Sequence, residues 1–222
     1  KYSWLHQVIR ITSCLLTLNL SGKKMKENIT LKDEVRDFWD AGSCGEVYAT
    51  GATDLDYYEE HSVVRYDLEP YIRAFAKFHE GSDKDILEIG VGMGSDHHEW
   101  AKSRPKSLTG IDLTPLAIEH TKKRFKAAGL SPNVEIGDAE KLEFDDSSFD
   151  LVYSFGVLHH SPNTSEAIKQ VHRVLRPGGT TRIMVYHTYS LTGYMLWLRY
   201  ALLAGKPFRS LRDIYSNYLE SP

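Results

Sequence analysis

The stretch Asp85-Ile86-Leu87-Glu88-Ile89-Gly90-Val91-Gly92-Met93-Gly94 decides the fold of this chain. An apolar run with one embedded acid is typical of a buried strand, and here it breaks into three glycines at alternate positions before Ser95-Asp96 begins a predicted helix. Glycine lets the backbone turn tightly and approach a ligand closely, and a helix start presents free N–H groups. The spacing is G-x-G-x-G, whereas the G-x-G-x-x-G fingerprint of dinucleotide sites requires glycine where Ser95 stands. Taken alone, the motif also fits a plain connection between a strand and a helix.

Strand and helix patterns alternate after this turn. Four further runs are typical of strands: Ser107–Ile111, Val134–Ile136, Phe149–Ser154 and Thr180–Tyr186. Three helical patterns lie among them: Asp96–Ala101, Pro115–Ala128 and Ser165–Leu175. Pro177-Gly178-Gly179 is expected to end the last helix, and its expected inner side carries Ala167, Ile168, Val171, Val174 and Leu175. This alternation predicts an α/β fold with a doubly wound, mostly parallel sheet.

The part of the chain before the glycine turn has a different pattern. Helices are predicted from Asp33, which is available as a cap, over Tyr57–Tyr66, and over Pro70–His79 with proline at its start. A glycine-punctuated loop, Ala41–Gly51, carries Tyr48. Loops with aromatic residues often bind ligands, so Trp39 and Tyr48 are candidate substrate contacts; packing roles explain them equally well.

The composition is that of one ordinary globular domain. The chain has 222 residues, of which 41% are hydrophobic and 26% charged, with 27 basic and 30 acidic residues and a formal net charge of -3. This balance gives no general attraction to nucleic acid or to an anionic membrane. A local basic group, Lys122, Lys123, Arg124 and Lys126, is interpreted as the solvated face of a helix. Two cysteines, Cys14 and Cys44, form neither a disulfide framework nor a zinc site, which favours a reducing, cytoplasmic setting.

The pattern divides the chain into four segments. Residues 1–24 are expected to be a non-native or disordered leader, because they fit poorly with the rest and Met25 is a plausible natural start. Residues 25–80 form a predicted helical N-terminal lid, and 81–189 form the α/β core. Residues 190–222 are expected to be helical and to form a substrate wall or an interface; the stretch Tyr189–Ala204 is too polar and short for a membrane span.

Polar residues at the predicted strand ends indicate a ligand site. In such sheets, ligands lie outside the carboxyl ends of the strands. Asp112 ends the second strand 22 residues after Gly90, a distance that suits a carboxylate accepting hydrogen bonds from ribose hydroxyls. Asp138-Ala139 follows the third strand and lies where an acid could contact an adenine amino group; Ser154-Phe155 ends the fourth. Each acid alone also fits a helix cap or a solvated strand end.

These motifs together resemble the class I S-adenosylmethionine-dependent methyltransferases. The resemblance covers about residues 33 to 189 and rests on Ile86 to Gly94, Gly110-Ile111-Asp112, Gly137-Asp138-Ala139-Glu140, and Phe149 through Val185, including Leu158-His159-His160 and Leu175-Arg176-Pro177-Gly178-Gly179. It implies that Glu88, Gly90, Gly92 and Gly94 cradle the methionine portion of the cofactor. It further implies ribose binding by Asp112, adenine packing by Leu113, contacts to the adenine edge by Asp138 and Ala139, and a sulfonium side lined by Ser154 and Phe155.

Motifs of other methyltransferase subclasses are missing. The fourth strand is followed by Ser154-Phe155-Gly156-Val157 and not by the Asn/Asp-Pro-Pro-aromatic motif of enzymes that act on nucleic acid. The paired-glutamate loop of protein arginine enzymes and a Pro-Cys motif for attack on pyrimidines are also missing. A small-molecule acceptor, methylated at O, N, S or activated carbon, is therefore expected. Alternatives are a nicotinamide-dependent oxidoreductase, against which Ser95 counts, and a cofactor-binding remnant without turnover.

A general base is needed only when the acceptor arrives protonated. His159 and His160 follow the fourth strand near the expected acceptor, and histidine titrates near neutral pH, so both are catalytic candidates with His159 preferred. Alternatively, one of them packs beneath the Pro162-Asn163 turn.

The end of the chain departs from the family pattern. The family's sheet continues into a sixth and an antiparallel seventh strand, but no residue after Leu203 has a strand pattern, and Arg212–Leu219 is typical of a short helix. We therefore expect the C-terminal hairpin to be missing and the Thr180–Tyr186 strand to be an open edge. Such an edge, or the C-terminal segment, is a possible homodimer interface.

Overall fold

The structure is a computed structural model that describes residues 31–43, 45–186, 189–211, 213 and 214. Residues 31–185 form one compact unit, and the described residues from 186 onward belong to another. The predictions for residues 1–24, for Met25 and for most of the Arg212–Leu219 helix lie outside the described residues.

A five-stranded parallel sheet forms the centre of the first unit, as predicted. The strands are β1 (Asp85–Ile89), β2 (Ser107–Asp112), β3 (Asn133–Ile136), β4 (Phe149–Phe155) and β5 (Leu175–Met184). Their order is β3-β2-β1-β4-β5, and every neighbouring pair is parallel. The chain first builds outward from β1 and then crosses to β4 on its other side. The strand order therefore reverses between β1 and β4, which is where ligands bind in such sheets.

The described residues also contain seven α-helices. They are α1 (Leu31–Asp40), α2 (Asp54–Leu68), α3 (Tyr71–Ala76), α4 (Ser95–Lys102), α5 (Pro115–Ala127), α6 (Thr164–Val174) and α7 (Leu191–Trp197). Neighbouring residues of β1 point to opposite faces of the sheet: Ile86 packs with Trp100 of α4, whereas Leu87 packs with Val171 of α6. The core therefore has two layers, one on each face of the sheet.

Helix α6 and strand β5 meet differently from the prediction. The helix ends at Val174, and Leu175 already pairs with Phe149 of β4, so Pro177-Gly178-Gly179 interrupts a strand and not a helix. A shift in register between Phe149 and Leu151 accommodates the extra residues. The prediction was also wrong for Ile168, which is 42% exposed.

The helices before β1 differ from prediction mainly at their ends. Helix α1 begins at Leu31, so Asp33 lies in its first turn and is not its cap. Helix α3 is shorter than expected: Pro70 precedes it as the N-cap, and Lys77 ends it by adopting a left-handed conformation with φ 48°. A 3₁₀ turn over Phe78–Gly81 then leads to β1.

The described residues of the second unit include a helix followed by turns. Helix α7 continues as a π-helical turn over Leu198–Leu202, and the indole Nε1 of Trp197 donates to the carbonyl of Arg209 at 2.7 Å. Leu203 and Phe208 are largely exposed. Within the described ranges there is no strand after Met184, and no helix has the length and apolar character needed to cross a bilayer.

Candidate cofactor site

The glycine turn after β1 requires glycine at two positions for steric reasons. All three of its glycines have positive φ, at 83° for Gly90, 50° for Gly92 and 74° for Gly94. A Cβ on Gly90 would lie 2.2 Å from Cγ2 of Val157, and one on Gly94 would lie 2.9 Å from Oγ1 of Thr121. A Cβ on Gly92 would meet no atom within 4 Å. The backbone at Gly92 therefore borders open space that a ligand can approach.

Asp112 ends β2 and binds this turn directly. Its Oδ2 accepts from the N–H of Gly92 at 3.1 Å, while Oδ1 accepts from the N–H and the hydroxyl of Thr114 at 3.0 and 2.9 Å. Burial raises the pKa of Asp112, and these hydrogen bonds oppose that rise. The carboxylate thus fixes the shape of the turn as well as offering an acceptor at the sheet edge.

Asp138 and Glu140, after β3, share a lysine from α1. Lys32 Nζ lies 2.6 Å from Oδ2 of Asp138 and 2.8 Å from Oε2 of Glu140. Oε1 of Glu140 accepts from the hydroxyl of Ser161 and from the N–H of Asn163, which follow the His159-His160 turn. Burial opposes ionisation of both partners, but their mutual hydrogen bonds raise the pKa of Lys32 and lower that of Glu140. An ion cluster therefore joins α1 to the loops after β3 and β4.

Glu88 is more deeply buried than expected for a side chain that cradles the cofactor. Its side chain is buried in β1, and Oε2 lies 2.9 Å from Nδ1 of His97, which is fully buried in α4. Burial raises the pKa of Glu88 and lowers that of His97 to about 3. His97 is therefore neutral at pH 7, and its contact with Glu88 joins β1 to α4.

Asp96, in the first turn of α4, is the centre of a buried polar cluster. It accepts from Nη2 of Arg65 at 3.0 Å and from the hydroxyls of Tyr66 and Tyr153, each at 2.8 Å. Burial alone would raise the pKa of Asp96, but the Arg65 charge and these hydrogen bonds together lower it. An ionised carboxylate thus joins α2 to the start of α4.

The end of β4 contributes Ser154 and Phe155. Ser154 is fully buried, and its hydroxyl has no hydrogen-bond partner among the described residues. Phe155 packs edge-on against Phe75, and the guanidinium of Arg65 lies 5.5 Å from its ring centroid. This strand end therefore combines one buried hydroxyl with an aromatic wall.

His159 and His160 lie in a 3₁₀ turn after β4, beneath α1. The two rings are 4.0 Å apart, and the ring of His160 lies 5.1 Å from that of Trp39, edge to face. Burial lowers the pKa of His159 to about 4 and that of His160 to about 3. Both imidazoles are therefore neutral at pH 7 and able to accept a proton, though they are weak bases.

Tyr48 lies against a different part of the site. Its ring stacks on that of His61 in α2, with 6.1 Å between centroids, and Nδ1 of His61 lies 2.9 Å from the hydroxyl of Ser95 at the start of α4. Trp39 and Tyr48 are therefore associated with separate groups, the first with the histidine turn and the second with the glycine turn.

A family model described as a methyltransferase domain matches residues 87–183, from β1 into β5. The glycine turn, Asp112, Asp138 and the histidine turn all lie inside this match. Residues 87–183 of this chain are thus similar to a methyltransferase domain. This match does not favour the nicotinamide alternative.

Curated relatives of the methyltransferase domain are enzymes named for varied organic acceptors. The phthiotriol/phenolphthiotriol dimycocerosates methyltransferase of Mycobacterium tuberculosis is 40% identical over 97 residues, covering 43% of this chain and 35% of that protein. The 27-O-demethylrifamycin SV methyltransferase of Amycolatopsis mediterranei is 36% identical over 96 residues, with 42% and 35% covered. A sterol 4-C-methyltransferase of Caenorhabditis elegans is 34% identical over 110 residues, with 49% and 32% covered. The chain thus spans about a third of the length of these relatives.

Solved structures confirm the fold of the domain. A protein from Pyrococcus horikoshii is similar with a TM-score of 0.54 at 20% identity, covering 74% of this chain and 71% of that one. The [4+2]-cyclase SpnF is similar with a TM-score of 0.50, also at 20% identity, with 71% and 61% covered. These likenesses show the fold alone.

The methyltransferase domain brings most of the predicted site residues to one edge of the sheet. Gly90, Gly92, Asp112 and Leu113 lie at the ends of β1 and β2, and the remaining strand ends carry the others: Asp138, Ala139, Ser154, Phe155, His159 and His160. Their individual roles stay predictions.

Sequence reasoning missed five residues whose side chains join the elements around the candidate site: Lys32, His61, Arg65, Asp96 and Arg124. The solvated-face interpretation fits Lys122, Lys123 and Lys126, which are exposed, but was wrong for Arg124, which is 2% exposed. The helical period offered a signal, because Arg124 shares its face with the buried Ile118, Thr121 and Phe125.

Proposed function

We propose that this protein transfers a methyl group from S-adenosylmethionine to a small organic acceptor. The observation that carries the proposal is the glycine turn with its three left-handed glycines, bound by Asp112 at the reversal of strand order. This arrangement lies inside the segment that matches the methyltransferase family.

The residues at this edge suit the cofactor. Gly92 leaves open space at the turn, Asp112 presents a carboxylate to hydroxyl donors, and the hydroxyl of Ser154 is buried without a partner among the described residues. We assign the methionine portion to the glycine turn and Glu88, the ribose to Asp112, and the adenine to Leu113, Asp138 and Ala139. When bound, the cofactor supplies a methyl group activated by a sulfonium. The protein then needs chiefly to align the acceptor, with Ser154 and Phe155 nearest the sulfonium.

His159 and His160 are proposed to accept a proton from an acceptor that arrives protonated. Their neutral state at pH 7 leaves ring nitrogens free of an added proton, and burial beneath α1 limits access by water. Their low basicity suits an acceptor whose proton becomes acidic as its bond to the methyl carbon forms.

The acceptor is proposed to be an apolar organic molecule. Trp39 and Phe155 offer aromatic surfaces near the end of β4, and the relatives are named for a lipid, a rifamycin and a sterol. We propose that α1 covers this acceptor and the adenine end, and opens for exchange.

Calorimetry and a turnover assay test the proposal. The protein should bind S-adenosylhomocysteine in the micromolar range or tighter and show no binding of NAD. Radiolabelled S-adenosylmethionine should then transfer label to some member of a panel of lipid, sterol and polyketide alcohols and phenols. Binding of NAD without binding of S-adenosylhomocysteine would refute the cofactor assignment, and binding without any transfer would favour a cofactor-binding remnant.

Two further sequence-based expectations are carried as proposals. We propose a cytoplasmic location, supported by the two isolated cysteines, which cell fractionation would test. We propose a homodimer through the C-terminal segment or through β5, which is an edge of the described sheet. A monomeric mass by light scattering at micromolar concentration would contradict the dimer.

A further inference from the structure

Arg124, on α5, has a buried guanidinium beside the glycine turn, and all of its N–H groups donate hydrogen bonds. An arginine has five N–H donors, and each of them finds an acceptor here. Nε donates to the carbonyl of Met93 at 2.7 Å, inside the turn. The four remaining donors reach Tyr58 O at 2.9 Å, Ser62 Oγ at 2.7 Å, His61 Nδ1 at 3.1 Å and Ser95 Oγ at 2.9 Å.

The acceptors of Arg124 fall into two groups. Met93 lies in the glycine turn, and Ser95 is the first residue of α4. Tyr58, His61 and Ser62 all lie in α2. Because a guanidinium only donates, Nδ1 of His61 must accept, and it can also accept the hydroxyl proton of Ser95. Arg124 therefore bridges α2 and the turn with a planar, rigid group.

A second residue of α5 forms a hydrogen bond with the same turn. Thr121, one helical turn before Arg124, donates its hydroxyl to the carbonyl of Gly92 at 3.2 Å. Two successive carbonyls of the turn, those of Gly92 and Met93, are thus bound by α5, while the N–H of Gly92 is bound by Asp112. The direction of each peptide between Gly92 and Gly94 is consequently fixed by side chains.

We propose that Arg124 is a positioning residue that sets the shape of the glycine turn for the amino-acid end of S-adenosylmethionine and ties that shape to α2. The inference rests on the proposed function. It assigns to one buried side chain the alignment of the backbone groups that would meet the ammonium and carboxylate of the cofactor. Lysine cannot replace it, because an ammonium has three donors and no planar fork.

Two ligands that differ only at the amino-acid end test the proposal. S-Adenosylhomocysteine carries that end, whereas 5′-methylthioadenosine lacks it and relies on the adenosine contacts. In Arg124→Lys, the Kd for S-adenosylhomocysteine should rise at least tenfold, while the Kd for 5′-methylthioadenosine changes less than twofold. Ser95→Ala removes one acceptor of Arg124 at small structural cost. It should raise the ratio of the Kd for S-adenosylhomocysteine to the Kd for 5′-methylthioadenosine by about threefold.

Arg173→Lys is the matched control. Arg173 also donates to backbone carbonyls, those of Leu142 and Phe144, but it lies on α6 and contacts no residue of the glycine turn in the described structure. It should leave the ratio of the two Kd values unchanged, even if the melting temperature falls.

The outcomes separate the inference from the proposed function. Equal loss of both affinities in Arg124→Lys, or no loss of either, overturns the positioning role. If Arg124→Lys does not fold, Ser95→Ala decides: an unchanged ratio overturns the inference. If the unaltered protein binds neither ligand, the proposed function itself fails. If it binds both with equal affinity, the cofactor assignment survives, but the turn does not bind the amino-acid end.

Discussion

Two helices from the front of the chain contact the cofactor edge in different ways. Helix α2 buries Tyr58, His61 and Tyr66, and it is joined to α4 and α5 by the cluster around Asp96 and by Arg124. Helix α1 buries none of its residues. It is joined to the core through Lys32, through Asp40, which accepts from the N–H of Leu116 at 3.0 Å, and through the Trp39–His160 contact.

This difference indicates which helix can move. Breaking the α2 contacts leaves buried charges and donors without partners, which costs several kcal/mol. The α1 contacts are partly exposed, and water replaces an exposed ion pair at a cost of about 0–1 kcal/mol. We therefore propose that α2 is part of the fixed scaffold and that α1 opens as a lid.

Replacing Asp96 should damage the α2 side most. Asp96→Ala leaves Arg65 and two tyrosine hydroxyls without their acceptor, so the free energy of unfolding should fall by about 3 kcal/mol in urea denaturation. Glu119→Ala, which removes an exposed ion pair with Lys123, is the control and should change it by less than about 0.5 kcal/mol. Equal effects would remove the distinction between buried and exposed attachment.

Replacing Asp112 should weaken binding of the proposed cofactor at the end of β2. Asp112→Ala should weaken S-adenosylhomocysteine binding by about 1.5–3 kcal/mol in calorimetry, since hydrogen bonds to a charged group are lost. Circular dichroism should show that the helices persist. Unchanged affinity in the folded variant would refute the ribose assignment.

Replacing Lys32 should loosen only α1. In Lys32→Met, the dissociation rate of S-adenosylhomocysteine should rise about three- to tenfold, and stability should fall by no more than about 1 kcal/mol. The rate should also lose most of its dependence on salt, because screening acts on the removed ion pair. Lys141→Met, at a surface ion pair with Glu143, is the control. An unchanged dissociation rate would show that α1 does not limit release.

Acid should destabilise the fold through His159 and His160, which lie in the turn beneath α1. The pKa of His159 is lowered to about 4 and that of His160 to about 3, so on unfolding both take up protons once the pH falls below about 6.5. Stability is therefore lost as the pH falls from 6.5 towards 4, by at most about 2 kcal/mol per histidine at pH 5 and by less for partly exposed rings. His160→Asn should lose less stability than the unaltered protein between pH 7 and 5, and the exposed His79→Asn should behave like the unaltered protein. A steeper loss in His160→Asn would contradict the buried, neutral state.

The sequence predicted the parts of the site that depend on local patterns. The glycine turn and Asp112 could be read because three glycines and one strand-end acid lie at fixed short spacings. Arg124 was misread because a group of basic residues was counted as a patch, although the helical period places it on the inner face. The pairing of Lys32 with Asp138 spans 106 residues, and neither local pattern contains a sign of the other. Contacts made only by tertiary packing, including those of β5 with β4, were beyond such reasoning.

Hydrogen exchange with and without S-adenosylhomocysteine tests the difference between the two helices most directly. We predict that amides of α1 exchange rapidly in the free protein and slow markedly on saturation with the ligand, while amides in the middle of α2 are protected in both states. Amides of α2 that exchange as fast as those of α1, or an α1 that does not respond to the ligand, would contradict the account.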